Sequence, residues 1–115
     1  MIRRSGTYEV SLREQMRGGD GTVKIEHFWK ADELKGKTRL LAKLTLEPGA
    51  SIGFHSHDDE EEVFVILMGK AEMMDGDAQV VLGPGDTILT ADGSGHAVKS
   101  VGDVPLEMLA VIVQY

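Results

Sequence analysis

His55 and His57 stand one residue apart, and Glu62 follows them after four further acids, Asp58-Asp59-Glu60-Glu61. On an extended chain, residues two apart point to the same side, so the two imidazoles share a face and can meet at one cation. If Asp58 to Glu61 close a four-residue hairpin loop, His57 falls opposite Glu62 and His55 opposite Phe64. Cross-strand partners of that kind lie about 4.5–5.5 Å apart at Cβ, which brings the carboxylate to the two imidazoles. Two imidazoles and a carboxylate with open positions beside them make a Lewis-acid or redox metal site. The acids from Asp58 to Glu61 read as a solvated turn. Glu62 differs, because it opens an apolar strand where an uncompensated carboxylate is costly. Spacing alone takes the ligand set to these three residues.

The elements that must position them are short apolar runs separated by turn residues, the pattern of an all-β barrel or sandwich. The runs are Val23–Phe28, Arg39–Leu46, Glu62–Leu67, Lys70–Met74, Gln79–Leu82, Thr87–Thr90, His96–Val101 and Leu106–Val113. Asp75-Gly76 is the strongest hairpin signal among the intervening turns. Gly83-Pro84-Gly85 lacks the strand-to-helix setting and the lysine of a phosphate loop. Lys30–Lys37 reads as a turn or a short helix. Residues 1–37 are more polar and are broken by Arg17-Gly18-Gly19-Asp20-Gly21, so they read as an arm packed on the barrel or on a dimer partner, with residues 38–115 as the barrel domain. Glu62–Met68 and Leu109–Val113 carry apolar residues on both faces, as strands between two layers do. A second copy of the chain can supply the outer layer, and a homodimer is therefore expected.

At 115 residues the chain fits one domain. Its net charge of -7 argues against nucleic acid and anionic membranes as partners. The absence of cysteine excludes disulfides, thiolate metal sites and a cysteine nucleophile. No apolar run follows Arg3-Arg4, and no stretch is long enough to cross a bilayer, so the expected compartment is the cytoplasm.

The array Gly49-(five residues)-His55-x-His57-(four)-Glu62-(six)-Gly69 resembles the first motif of the cupin superfamily. Gly85, Gly93 and His96 are similarly placed to its second motif, with Ala91 where proline is usual and Ser100 where asparagine is usual. The resemblance covers residues 38–113, and the N-terminal arm around Met16–Gly21 looks like that of small one-domain members described as oxalate-decarboxylase-like. It implies a double-stranded β-helix of the jelly-roll type, a dimer, and His96 as a fourth ligand. Imidazole and carboxylate together suit one divalent ion, manganese or iron before zinc, nickel, cobalt or copper. By parity with the ligands, Phe64, Ile66, Met68 and Val98 are expected to wall the pocket.

The expected function is that of a metal-dependent enzyme of dioxygenase, decarboxylase or isomerase type, acting on a small organic acid or an enolisable substrate. The alternative is a binding or sensor module using the same pocket without turnover. A purely structural metal fits poorly, since closed zinc sites usually include thiolates. No acid or base beyond the ligands can be named. Arg39 and Arg17 are candidates for holding a carboxylate only because arginines are few, and their expected place is the solvated surface, with Lys43 and Lys99 unplaced. His27, between Glu26 and Phe28, is expected to pack and not to ligate.

Overall fold

Apolar residues recur at every second position along the longer runs, and burial follows that period. Leu106, Met108, Ala110 and Ile112 are buried, as are Ala42, Leu44 and Leu46. The structure, a computed structural model, describes residues 1–115. Its strands are β1 (Glu9–Glu14), β2 (Thr22–His27), β3 (Thr38–Leu46), β4 (Ser51–Ser56), β5 (Glu60–Met68), β6 (Ala71–Asp75), β7 (Ala78–Leu82), β8 (Thr87–Thr90), β9 (Gly95–Ser100) and β10 (Leu106–Gln114). Two 3-10 turns, Met16–Gly18 and Ala31–Glu33, are the only helical pieces. The segment Lys30–Lys37 thus shortens to a single turn. No helix is long and apolar enough to cross a membrane.

The strands form two sheets, ordered β1-β2-β3-β10-β5-β8 and β4-β9-β6-β7. Antiparallel pairs are nested: β3 with β10, β4 with β9, β5 with β8, and β6 with β7. The chain therefore doubles back on itself at the β6–β7 turn, where Gly76 takes the positive φ of 58° that a two-residue hairpin loop needs. The pairing is that of a jelly roll, in which successive strands mostly change sheets. A cluster of fifteen buried apolar residues, Phe64, Ile66, Met73 and Met108 among them, fills the space between the sheets. Burial of each large side chain contributes about 1.5–3 kcal/mol.

Two strands were not apparent as apolar runs. β4 buries only Ile52 among its six residues, and β1 lies at a sheet edge with no residue fully buried. Through β1 and β2, the N-terminal segment extends the larger sheet in register with β3. The loop between them, residues 15–21, leaves that sheet and lies on β4 of the other. The Ser51 amide donates to the Asp20 carbonyl, and the Asp20 amide donates to Ser51 Oγ, both at 2.8 Å. Backbones touch so closely here that a Cβ on Gly53 would overlap the Arg17 carbonyl, and one on Gly19 would overlap that of Ser51. Gln15 and Arg17 are held at φ 49° and 55°, left-handed conformations that cost energy in non-glycine residues and persist only where surroundings enforce them.

Gly53→Ala is accordingly expected to push this loop off β4. Overpacking of this kind costs about 1–3 kcal/mol, and thermal unfolding is expected to show a midpoint lower by about 5–10 °C.

Candidate metal centre

β4 and β9 are neighbours, and His55 lies directly opposite His96 in their register. His57 follows just beyond the end of β4, where its amide donates to the Ser94 carbonyl at 3.1 Å. Glu62 arrives from the other sheet. It pairs with Thr90 of β8 and Ile112 of β10, not with His57. The hairpin expected at Asp58–Glu61 therefore does not form, because β4 and β5 lie in different layers and the segment between them bridges the layers. The carboxylate meets the imidazoles across the interior instead of across a ladder.

The meeting is close. His57 Nε2 and His96 Nε2 each lie 3.0 Å from Glu62 Oε1. His96 Nε2 is 3.1 Å from both His57 Nε2 and His55 Nε2. All four donor atoms fall within 4.8 Å of one another. His57, Glu62 and His96 are buried and His55 half-buried. Phe64 stacks on the His96 ring at 5.0 Å and 8° and fixes its plane.

Each imidazole is oriented through its other nitrogen. His55 Nδ1 donates to the Gly53 carbonyl at 2.9 Å, two residues back on its own strand. His57 Nδ1 donates to Glu60 Oε1 at 2.8 Å, and His96 Nδ1 lies 2.9 Å from Thr90 Oγ1. Glu60 is itself clasped by Arg39, whose Nε and a terminal nitrogen each donate at 2.8 Å. That guanidinium holds the Glu60 carboxyl down to about 2, so it stays an acceptor at neutral pH. Burial lowers the pKa of His55 against the opposing pull of the Gly53 carbonyl, which favours the neutral ring.

These bonds decide whether a metal fits. A neutral imidazole whose proton sits on Nδ1 presents a bare lone pair at Nε2. The bonds of His55 and His57 thus leave two Nε2 lone pairs facing a carboxylate oxygen, and His96 adds a third when its Nδ1 donates to Thr90; that arrangement repels itself unless a cation occupies the middle. Donors about 2.1 Å from a shared ion and at right angles to one another stand about 3.0 Å apart, which matches the four close spacings that Glu62, His57, His96 and His55 show. The donor set is the nitrogen and oxygen mixture of a transition-metal site with positions left open.

The cluster sits at the inner end of a cavity of about 290 Å³. His55, His57 and Glu62 line one part, and Ile25, Leu40, Leu44, Ile52, Phe64 and Ile112 form its apolar wall. Of the residues expected to wall the pocket, Phe64 does so, whereas Ile66 and Val98 are buried in the core without lining the cavity. Met68 is corrected outright: it is 39% exposed, because β5 runs beyond the barrel interior at its last two residues. Arg39 and Glu60, read as surface and turn residues, form a chain to His57. Glu60 lies two residues before Glu62 and so on the same face of β5, a parity signal hidden by the acidic run around it. Thr90 had no such signal, since only the β5–β8 pairing brings it to His96. His27 stays outside the cluster; its Nε2 lies 3.0 Å from Ser11 Oγ at the cavity wall.

The sequence model described as "Cupin domain" matches residues 42–112. The chain is a cupin. An oxalate-binding protein of Thermotoga maritima is 35% identical over 113 residues, which span 98% of this chain and 93% of that protein. The crystal structure of a predicted oxalate decarboxylase from Thermotoga maritima superposes with a TM-score of 0.95 at 35% identity, with both chains covered in full. The oxalate decarboxylase of Bacillus subtilis is 32% identical over 91% of this cupin, but only 28% of that longer protein is covered.

Replacing both His55 and His57 with alanine is expected to abolish divalent-metal binding in this cupin while its β-sheet circular dichroism remains. Glu60→Ala, which touches no donor atom, is expected to lower affinity about 10–100-fold by freeing the His57 ring. Competition against a chromophoric chelator reads both.

Proposed function

We propose that this cupin holds one divalent metal at His55, His57, Glu62 and His96 and takes a small carboxylic acid at the positions left open. The observation that carries the reading is the four-donor cluster at the inner end of an otherwise largely apolar cavity, in a chain with a net charge of -7. The names of the two relatives that match over most of the chain, one oxalate-binding and one a predicted oxalate decarboxylase, support an acid as ligand. The mixed nitrogen and oxygen donor set supports manganese or iron.

When bound, the metal would supply Lewis-acid stabilisation of a carboxylate or enolate oxygen. The chain's own residues do the rest. Glu62 and the imidazoles set the charge and direction of the site, the apolar wall excludes water, and the Arg39–Glu60 pair keeps His57 from turning. Turnover of decarboxylase or isomerase type is a second reading, favoured by one observation: His27 lines the same cavity outside the ligand set, with its Nε2 3.0 Å from Ser11 Oγ.

Elemental mass spectrometry on protein purified without chelators or a nickel column is expected to find near-stoichiometric manganese or iron. Calorimetry should then show oxalate binding to the metal-loaded protein and not to the metal-free one. Absence of metal after reconstitution would overturn the reading.

A homodimer is part of the same proposal. On the outer face of the larger sheet, Leu41, Val111, Val63 and Leu89 stand in one row across four strands. Leu89 is 59% exposed, and the neighbouring Val65 and Leu109 are only half-buried. An apolar row on the outer face supports reading it as an interaction surface. The charges beside it, Lys24, Glu26, Lys43 and Glu107, pair among themselves and leave the face electrically neutral toward its own copy. Light scattering is expected to give twice the chain mass, and Val111→Glu to give a folded monomer.

A further inference from the structure

Three of the chain's five arginines, Arg13, Arg17 and Arg39, line the metal cavity. Their situations differ. Arg39 is occupied by Glu60, just as Arg3, elsewhere, is clasped by Glu33. Arg13 and Arg17 line the cavity with no carboxylate partner, and both are exposed, whereas His57 and Glu62 are buried. Arg13 and Arg17 therefore lie on the solvent side of the cavity and the metal cluster on its interior side.

The fold keeps these two ends apart. Arg13 is on β1 and Glu62 on β5, four strands away in the order β1-β2-β3-β10-β5. Each interstrand step is about 4.8 Å before the curl of the sheet. Between them the wall carries apolar Ile25 from β2 and Leu40 and Leu44 from β3, with His27 of β2 and the Glu60-bound Arg39 beside them. Arg17 is brought in from the opposite side by the loop over β4. Its backbone is held in the left-handed region at φ 55°, against Gly53, so its presence there is enforced and does not result from a relaxed surface turn. A cavity of 290 Å³ has room for about ten waters, and a two-carbon diacid fills only part of it.

We propose that the acid taken by this cavity is a dicarboxylate longer than oxalate, with one carboxylate at the metal, an apolar spacer along Ile25, Leu40 and Leu44, and the far carboxylate on Arg13 and Arg17. The inference rests on the metal-dependent acid binding proposed above and specifies the class of acid. A guanidinium fork binds a carboxylate through two parallel hydrogen bonds, each strengthened by charge. Only an acid with a second anionic end, at the right distance, collects both contributions.

Calorimetric titration of the metal-loaded protein with oxalate, succinate, glutarate and adipate tests this, with hexanoate as the one-ended control. Affinity is expected to peak at one of the longer diacids, about tenfold or more above oxalate and above hexanoate. The double variant Arg13→Gln, Arg17→Gln keeps a polar, unbranched side chain at each position and the strain at position 17 while removing both charges. It is expected to lower affinity for the preferred diacid about tenfold or more and to lower that for hexanoate hardly at all. Tightest binding of oxalate, equal binding of hexanoate and adipate, or an unchanged diacid affinity in the folded double variant would each overturn the inference while leaving metal-dependent acid binding in place. Failure of every acid, oxalate included, would overturn both.

Discussion

Three imidazole nitrogens and a carboxylate oxygen converge on one point in the interior. That arrangement is unfavourable alone and favourable around a cation, and much of the molecule is arranged to enforce it. Each ring is turned by a bond on its far nitrogen: to the Gly53 carbonyl, to Glu60 and to Thr90. Those three anchors come from β4, β5 and β8, so no single element can relax the cluster by moving by itself. Phe64 lies flat against His96 and blocks the remaining rotation.

The jelly roll suits this purpose because its successive strands change layers. β4 and β9 present imidazoles from one sheet, and β5 presents the carboxylate from the other. A hairpin would have placed ligands side by side on one surface, open to water along one face. Facing sheets place them around an enclosed point instead, where low polarity strengthens every charge interaction. The same enclosure makes Arg39 matter. Its grip on Glu60 is partly exposed, yet its effect is delivered to a buried ring.

Charge is distributed against the average of the chain. A protein with a net charge of -7 lines its cavity with three arginines and one carboxylate, a local balance that favours the proposed acid. Membership of the cupin family explains the barrel and the ligand types, but the family's fold supports many chemistries. What distinguishes this chain is local: the loop of residues 15–21 pinned to β4 by Gly19 and Gly53, and the arginines it and β1 bring to the mouth.

Much was legible in the residues themselves. The all-β class followed from the short apolar runs separated by turn residues. The turn at Asp75-Gly76 followed from glycine's access to positive φ, and the pairing of His55 with His57 from the parity of a strand. These are local properties, determined within a few residues by backbone sterics and side-chain alternation. The resemblance to cupins added His96, which lies 39 positions beyond His57 and has no local relation to it. What only the tertiary structure decided is how the layers meet. It places Glu62 across the interior and not across a hairpin, makes Glu60 and Arg39 parts of the centre, leaves Met68 outside, and brings Thr90 to His96. Apart from the parity of Glu60 with Glu62, none of these follows from spacing, because each depends on which strands become neighbours. That choice is made by the burial of the whole apolar surface at once, not by any residue and its neighbours in the chain.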